Sequence, residues 1–407
     1  MGKNKVEPRE MIDRTPFKGV PIEDIKDLVD ASWERFSEGS RGVDLRSPLE
    51  MRGLKEVQVA LILDMARTRK KALEKTSMGH RTFFTSEGLR WATPEEASLH
   101  CADRIRGEHV IDVSCGQGGQ AVYLARRSDR VTAVDLDPLN CLVTYLNAEV
   151  MGVDNMAIVN GDSLSDAVVL MAGNGCLVFS DPARPPGAKK RTLKEMDPNP
   201  LEIHSRYSGM ASGFCFELPP YMELDRIPFD MEAEYISLNG RLNRLNLYIG
   251  DLKKAERSVV MLPGGAVTSG SPGVAGSDDD SIIATGSYIS EMDHSLVRSG
   301  LAWKLTDNGE GSIVHLDRRR SILVGSGQIS SPFAGPPMKV LGTAEDLKGV
   351  KHLLGSVGAG AVTIRFRVEP SEYWKVRNDL ESDLSGKEKV NLFKGRRYIV
   401  TSREGGQ

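Results

Sequence analysis

Residues 110–137 read VIDVSCGQGGQAVYLARRSDRVTAVDLD. A short apolar run containing Asp112 leads into the glycine-rich turn at 114–119, and a helical pattern follows. A second apolar run then ends in Asp135. Strand, glycine turn, helix and strand in this order predict half of a doubly wound α/β sheet, in which ligands bind beyond the carboxyl ends of the strands. The segment therefore predicts a nucleoside-binding site.

The order of acids and glycines narrows the choice of nucleoside. A dinucleotide site requires G-x-G-x-x-G, with a helix N-terminus facing a pyrophosphate. Here Asp112 precedes the turn, and the glycines follow as Cys-Gly-Gln-Gly-Gly. A carboxylate at this place would repel a phosphate and would suit a cationic ligand without phosphate. The alternative is a glycine turn with no ligand, but a third acid, in Gly161-Asp162-Ser163, also follows a strand-like run.

This pattern resembles motif I and the following motifs of the class I S-adenosylmethionine (SAM) methyltransferases. The resemblance implies that SAM is the cofactor, that Asp135 binds its ribose, and that Asp162 or a neighbour contacts its adenine. The residues that it assigns to the cofactor are Asp112, Ser114, Cys115, Gly116, Gly118, Asp135, Leu136, Gly161, Asp162 and Ser163.

Motifs upstream of the turn make the resemblance more specific. Phe84-Thr85-Ser86-Glu87-Gly88 and Thr93-Pro94-Glu95-Glu96, with the glycine turn, resemble the catalytic domain of trimethylguanosine synthase, which methylates a guanine amino group on capped RNA. Methyltransferases of bacteria and archaea with a C-terminal THUMP-like domain share this core, and they resemble the chain from about residue 55 onward. Thr93 is also predicted to cap a helix, since a proline and two acids follow it.

A fourth strand-like run, 176–179, is followed by Ser180 and then by Asp181-Pro182-Ala183-Arg184. The resemblance implies that this acid and proline lie beside the methyl group of SAM. The carboxylate or a neighbouring carbonyl would accept hydrogen bonds from the methylated base, and the proline would stiffen the turn. We therefore predict Asp181, Pro182 and Arg184 as the catalytic residues.

The Asp-Pro-Ala-Arg segment departs from the common acid-or-Asn-Pro-Pro-aromatic tetrad. Trimethylguanosine synthase has Ser-Pro-Pro-Trp here, whereas the THUMP-like methyltransferases carry Asp-Pro-Ala-Arg. Arg184 could stack on a base or hold a phosphate, because a guanidinium plane can do either. The alternative is a salt bridge to a local acid such as Glu202.

Composition limits the possible partners. A net charge of −3 excludes the global basic field typical of nucleic-acid-binding proteins. Local basic clusters occur at 67–71, 189–191, 318–320 and 394–397, each more often a solvated face than an RNA contact. Five single cysteines, with no C-x-x-C pair, indicate reduced thiols and argue against a zinc site. Without a signal peptide or a membrane-spanning run, we expect a cytoplasmic protein that binds no metal and no membrane.

The 407 residues predict an α/β fold in three regions. Residues 1–84 form a helical N-terminal region, and 85–265 form a Rossmann-like class I methyltransferase domain with a seven-stranded sheet. Residues 282–407 form an α+β region whose part from about 332 to 407 resembles a THUMP-like domain. The Gly- and Ser-rich segment 264–281 is predicted to be a flexible loop or linker. Asn239-Gly240 predicts a hairpin between the last two strands of the methyltransferase sheet.

These patterns favour an RNA methyltransferase that uses SAM to methylate a base nitrogen by direct transfer, with guanosine in tRNA as the favoured substrate. A cysteine nucleophile is not expected, because Cys215 lies within a predicted strand. Two other hypotheses stay open. One is a methyltransferase for another RNA, a small molecule or a protein side chain, and the other is an RNA-binding protein that holds SAM without catalysis. Asp181-Pro182 beside a full motif I argues against the second.

Overall fold

The computed structural model describes residues 11–183 and 192–403. By compactness the chain divides into two units, residues 1–232 with 245–254 and residues 233–244 with 255–407. The predicted domain boundaries at 84, 265 and 282 stay predictions, because a division by compactness does not test which segments fold independently. No helix in the described ranges is long and apolar enough to cross a membrane.

The first unit starts with three helices, where apolar residues recur at helical spacing. They are α1 (Ile22–Ser37), α2 (Gly42–Glu50) and α3 (Glu56–Ala72). Gly39 follows α1 with φ 97° and Gly53 follows α2 with φ 81°, so each helix ends near a residue that tolerates the left-handed conformation. Buried apolar residues of these helices, such as Ile25 and Ile62, share one core with Leu142.

The described residues of the first unit form six further helices. They are α4 (Ser86–Trp91), α5 (Glu95–Arg104), α6 (Ala121–Ala125), α7 (Pro138–Val150), α8 (Asp166–Ala172) and α9 (Pro200–Tyr207). Asp137 caps α7, because its side chain accepts a hydrogen bond from the backbone N–H of Leu139 at 2.8 Å. α7 therefore begins directly after the second strand, at Pro138.

The strands of the first unit lie close to where the apolar runs predict them. The first seven described strands, in chain order, are β1 (Val110–Asp112), β2 (Val131–Asp135), β3 (Met156–Asn160), β4 (Cys176–Ser180), β5 (Ala211–Leu218), β6 (Met231–Leu238) and β7 (Arg241–Gly250). The turn at 239–240 joins the last two. The first five are parallel in the order β3-β2-β1-β4-β5, and β7 pairs antiparallel with β5.

Most of β6 belongs to the second unit, so the first unit shows six strands in its described residues, and the seven-stranded core stays a prediction. Asn239 with φ 53° and Gly240 with φ 71° form the turn between β6 and β7. Positive φ at both positions is what a two-residue hairpin turn of this kind requires.

The second unit contains two sets of paired strands. β6 pairs with β8 (Arg257–Leu262), which pairs in turn with β9 (Ala266–Gly270). The remaining strands are β10 (Tyr288–Glu291), β11 (Ser312–His315), β12 (Ser321–Gly325), β13 (Met338–Ala344), β14 (Ala359–Ile364), β15 (Glu388–Lys394) and β16 (Tyr398–Thr401). In the described residues they form one sheet in the order β11-β12-β10-β13-β16-β15-β14.

Three helices accompany the strands of the second unit, α10 (His294–Ser299), α11 (Leu347–Ser356) and α12 (Tyr373–Glu381). Gly300, with φ 76°, ends α10. β10 lies before residue 332 and β13 lies after it, and these two strands pair directly. The predicted start of the THUMP-like domain near residue 332 therefore divides a single hydrogen-bonded sheet. That resemblance stays a prediction.

The expectation of a flexible loop or linker at 264–281 is wrong for residues 266–270 and 280–281, whereas residues 271–276 form neither helix nor strand. β9 occupies part of it, and its alternating pattern, with Val267 and Thr268, pairs antiparallel with β8. A short 3₁₀ turn, Asp280–Ile282, follows, and the Asp280 carboxylate accepts a hydrogen bond from the backbone N–H of Arg397 at 2.8 Å. Glycine and serine content alone did not reveal these long-range pairings.

Candidate cofactor and substrate site

The buried end of β1 carries an acid with an unused oxygen. Asp112 is 1% exposed, and its Oδ1 accepts a hydrogen bond from the Ser114 N–H at 3.1 Å. Its Oδ2 has no hydrogen-bond partner within the described residues. Burial raises the pKa of Asp112 to about 8, and the nearby charges of Asp181 and Asp135 add to the rise. A buried polar atom without a partner is costly, so this oxygen marks a place for a ligand.

The carboxyl end of the neighbouring strand, β2, differs because the carboxylate of its acid, Asp135, accepts three hydrogen bonds. The Asp135 carboxylate accepts hydrogen bonds from the Gly116 N–H at 2.9 Å, the Asp137 N–H at 2.9 Å and the Asn140 side chain at 3.1 Å. Burial raises the pKa of Asp135, and these hydrogen bonds oppose the rise. The carboxylate is half-buried and fixed in orientation, as an acceptor for ligand hydroxyl groups must be.

The glycine turn depends on left-handed backbone. Gly116 has φ 52° and Gly118 has φ 81°. A Cβ atom at Gly118 would lie 3.2 Å from the Cα of Thr144 on α7, so the turn packs closely on that helix. Thr144 Oγ1 donates a hydrogen bond to the Gly116 carbonyl at 2.9 Å. Burial raises the pKa of the Cys115 thiol between them, which keeps this side chain protonated and unreactive.

A network that the sequence did not reveal locks the turn. Gln117 Nε2 donates to Thr85 Oγ1 at 2.9 Å and to Asn140 Oδ1 at 3.2 Å, and its Oε1 accepts from the Thr85 N–H at 3.0 Å. A Cβ atom at Gly88 would lie 2.0 Å from the Gln117 Oε1, so α4 lies directly against this amide. The sequence signal for this network was Gln117 itself, a long polar residue between the two glycines of the turn.

Asp181 follows β4 and is joined to the glycine turn. Its backbone N–H donates to Ser114 Oγ at 3.0 Å, and that hydroxyl lies 3.1 Å from Ser180 Oγ. Asp181 is half-buried and Pro182 is buried. The structure thus places two of the predicted catalytic residues, Asp181 and Pro182, next to the glycine turn. Arg184 and its alternative pairing with Glu202 lie outside the described residues.

The ends of β3 and β2 contribute the remaining predicted cofactor residues. The Gly161 N–H donates to the Asp135 carbonyl at 3.0 Å, so the two strand ends are joined. Asp162 is exposed and accepts the Leu164 N–H at 2.8 Å, whereas Ser163 is buried and its carbonyl accepts the Tyr207 hydroxyl at 2.6 Å. Leu136 is 67% exposed next to Asp135, an apolar side chain well suited to cover a planar ring.

The predicted helix cap at Thr93 is wrong. α5 begins after Pro94 with no side-chain cap, and Thr93 Oγ1 instead donates to Glu217 Oε1 at 3.2 Å. Pro94 occupies the N-cap position, so Thr93 lies one residue too early to cap the helix, and its hydroxyl donates to a buried carboxylate. Glu217 is 4% exposed near the end of β5 and was not singled out from the sequence. The available signal was a further acid near a strand end, just before two prolines.

Three of the basic clusters contain arginines with structural partners. Arg69 is 3% exposed and pairs with Asp30 at 2.6 Å. Arg320 pairs with Glu291 at 2.6 Å, and Arg397 pairs with Asp280 at 3.3 Å. These three arginines are therefore committed to the fold, and the cluster at 189–191 lies outside the described residues. All five cysteines are buried and free of disulfides, as predicted. The described ranges contain no group of three or more His, Cys, Asp or Glu side chains that could hold a metal ion.

Comparison with known proteins points to the same region of the chain. The model of a family described as RNA cap guanine-N2 methyltransferase matches residues 107–203. Proteins from two Mycobacterium tuberculosis strains, CDC 1551 and H37Rv, each named an uncharacterized S-adenosylmethionine-dependent methyltransferase, are 26% identical to this chain over 228 residues. The alignment covers 54% of this chain and 59% of the length of those relatives.

A solved structure extends the comparison to nearly the whole chain. It is a presumed methyltransferase from Porphyromonas gingivalis W83, with a TM-score of 0.70 at 13% identity, and the match covers 94% of this chain and 99% of that one. At this identity the likeness concerns the fold. This chain has a Rossmann-like class I methyltransferase fold.

Proposed function

We propose that the chain is a SAM-dependent methyltransferase that methylates a base nitrogen of RNA, with guanosine in tRNA as the favoured substrate. The observation that carries the proposal is the hydrogen bond from the Asp181 N–H to Ser114 Oγ at 3.0 Å. It holds the acid-proline segment against the glycine turn. Direct transfer between a cofactor and a base requires this kind of fixed proximity.

SAM is the cofactor that fits the residues at this edge. The unpartnered Oδ2 of Asp112 would take a cationic group, and the oriented Asp135 carboxylate would take the ribose hydroxyls. The exposed Leu136 and Asp162 would hold the adenine. When bound, SAM supplies a methyl group activated by a sulfonium, so the protein mainly aligns and orients. The printed names of the Mycobacterium tuberculosis relatives support the same cofactor.

Residues of the chain would position the base. The Asp181 carboxylate would accept a hydrogen bond from an amino group of the base and so orient the nitrogen lone pair. Buried Pro182 would keep the segment stiff. The target base would have to leave its stack to reach Asp181, because SAM bound at the glycine turn would hold its methyl group within the protein. Arg184 remains our candidate for stacking or phosphate contact.

The guanine specificity rests on the family match at residues 107–203, whose description names guanine N2. That match covers the glycine turn and the acid-proline segment together, and these are the parts that would touch the cofactor and the base. RNA contacts by the helical N-terminal region and by the THUMP-like region belong to the same proposal. The remaining exposed basic residues of the clusters would supply the phosphate contacts.

The test is methyl transfer from labelled SAM to bulk tRNA from a strain that lacks the gene, followed by nucleoside mass spectrometry. We expect one labelled nucleoside, a guanosine methylated on its base. The matched control is Asp181→Ala, which should bind SAM and label RNA at least about a hundredfold more slowly than the wild-type chain. Labelling of ribosomal RNA alone would correct the RNA class. A protein that binds SAM and labels no RNA at all would contradict the proposal in favour of another acceptor or of binding without catalysis.

A further inference from the structure

Trp91 is an exposed aromatic side chain near the candidate site. It ends α4, and 61% of it is exposed. In the described part of the first unit, the other exposed large apolar side chains are valines, leucines and methionines, and Trp91 alone is aromatic. A single exposed apolar residue is common and means little by itself. The argument therefore depends on where Trp91 lies and on what holds it.

The segment that carries Trp91 packs against the glycine turn. A Cβ atom at Gly119 would lie 3.4 Å from the Cβ of Ala92, the residue after Trp91. Lys75 Nζ donates hydrogen bonds to the carbonyls of Arg90 at 3.0 Å and of Ala92 at 2.6 Å. The backbone is therefore fixed on both sides of Trp91.

The same segment also reaches the strand end beside Asp181. Thr93, two residues after Trp91, donates to Glu217 at 3.2 Å. Glu217 and Asp181 each come one residue after the last pair between β4 and β5, so they are neighbours on adjacent parallel strands. Two residues span at most about 7 Å, so the backbone of Trp91 lies within that distance of Thr93, whose hydroxyl contacts the strand end next to Asp181.

One face of the indole is already covered by a cation. The guanidinium carbon of Arg90 lies 4.5 Å from the centroid of the Trp91 ring. This cation–π contact holds the ring in place and adds a positive charge beside it. With most of the side chain exposed, the ring offers its other face for stacking. An aromatic ring with a neighbouring arginine is the usual platform for a single-stranded base.

We propose that Trp91, held by Arg90, is the residue on which a base of the RNA substrate stacks. It would supply the aromatic ring that Asp181-Pro182-Ala183 lacks, from a different element of the fold. This inference rests on the proposed function. It deepens that proposal by naming how a base is held once it has left its stack.

The first test compares Trp91→Ala and Trp91→Phe with the wild-type chain. For Trp91→Ala we expect kcat/KM for RNA to fall about ten- to hundredfold, because one stacked base contributes that much to binding. Trp91→Phe should return most of the activity, since any planar ring can stack. Leu170→Ala is the control. Leu170 is 75% exposed on α8, the helix that leads into the amino end of β4, and its removal should leave kcat/KM unchanged.

A direct binding readout separates this inference from the proposed function. RNA added without cofactor should quench the tryptophan fluorescence of the wild-type chain, and Trp91→Phe should lose that quenching. Unchanged kcat/KM in Trp91→Ala, with an active wild-type chain, would overturn the inference alone. A loss that Trp91→Phe does not restore, with SAM affinity intact, would also overturn it. A wild-type chain that labels no RNA would instead overturn the proposed function.

Discussion

The two ends of β1 carry buried polar side chains with opposite hydrogen-bonding states. At the amino end, His109 Nδ1 donates to the Ala172 carbonyl at 2.6 Å, and its Nε2 accepts from Thr132 Oγ1 at 2.9 Å. At the carboxyl end, Asp112 keeps an oxygen without a partner in the described part of the chain. A satisfied buried group stabilises the fold, whereas an unsatisfied one is costly until something binds to it. The comparison separates a structural end of the strand from the end at which we propose that a ligand binds.

Burial disfavours the charged form of both side chains, the protonated His109 and the ionised Asp112. The contributions of the two residues to stability therefore depend on pH in opposite directions. Burial, followed by the charge of Arg130, lowers the pKa of His109 below its ordinary value of 6.5. Its stabilisation is fully present above that value and is lost as pH falls through the folded-state pKa. For Asp112 the folded-state pKa is about 8, so its stabilisation is present below 3.8 and is lost as pH rises through about 8.

The largest effect is expected at the functional end, from Asp181→Ala. Loss of the acceptor should lower kcat about a hundred- to a thousandfold, because a positioned polar group typically contributes that much to a transition state. SAM affinity, measured by calorimetry, should stay the same. Asp181→Asn should keep part of the rate, since its amide oxygen still accepts a hydrogen bond. Near-normal turnover of Asp181→Ala would remove this residue from the mechanism.

Asp112→Asn sharpens the comparison because it keeps the shape of the side chain and removes its charge. We expect the Kd for SAM to rise about ten- to hundredfold, since a hydrogen bond to a charged group contributes roughly 1.5–3 kcal/mol. The melting temperature without ligand should stay the same or rise, because no buried carboxyl remains to be ionised. If SAM affinity is unchanged, Asp112 does not hold the cofactor, and its unused oxygen needs another explanation.

The pH dependence of cofactor binding should follow the same acid. Below pH 8, Asp112 is protonated in the free protein, and a cationic ligand must displace that proton. SAM affinity should therefore rise by up to about tenfold per unit as pH increases from 6 to 8, and then level off. Calorimetry in buffers of different ionisation heat would count the released proton. Asp112→Asn should show a flat profile, and a rising profile in that variant would assign the titration to another group.

The smallest effect is expected at the structural end, from His109→Gln. We expect it to lower the free energy of unfolding by about 1–2 kcal/mol, because a glutamine cannot satisfy both partners with the same geometry. Denaturation at pH 8 and pH 5 should show a smaller acid loss in the variant than in the wild-type chain. SAM affinity should not change at either pH. A large loss of SAM affinity would mean that the two ends of β1 are coupled.

Acids near strand ends were the most predictable part of the site. Asp112, Asp135 and Asp162 were found because a strand end, a glycine turn and an acid are all encoded within a few residues. The network of Gln117 with Thr85 and Asn140 was not found from the sequence, because it joins three segments that only the fold brings together.

The failed predictions have the same origin. Thr93 has the local sequence of a helix cap, but a carboxylate from β5 takes its hydroxyl. β15 was not predicted because its charged start, Glu388-Lys389, hides the apolar alternation of Val390 and Leu392. β15 is a strand because it pairs with β14 and β16, and pairing across long sequence distances leaves little local signal.

The chain passes from the first unit to the second at residue 233, returns at 245, and leaves again at 255. During synthesis, the first unit therefore cannot complete its sheet until β7 has left the ribosome. A nascent chain that stops at residue 232 would present β5 as an open edge, since β7 is the strand that covers it. Such a chain is a target for chaperones and for aggregation, so a premature stop in this region would produce an aggregation-prone fragment rather than a smaller folded protein.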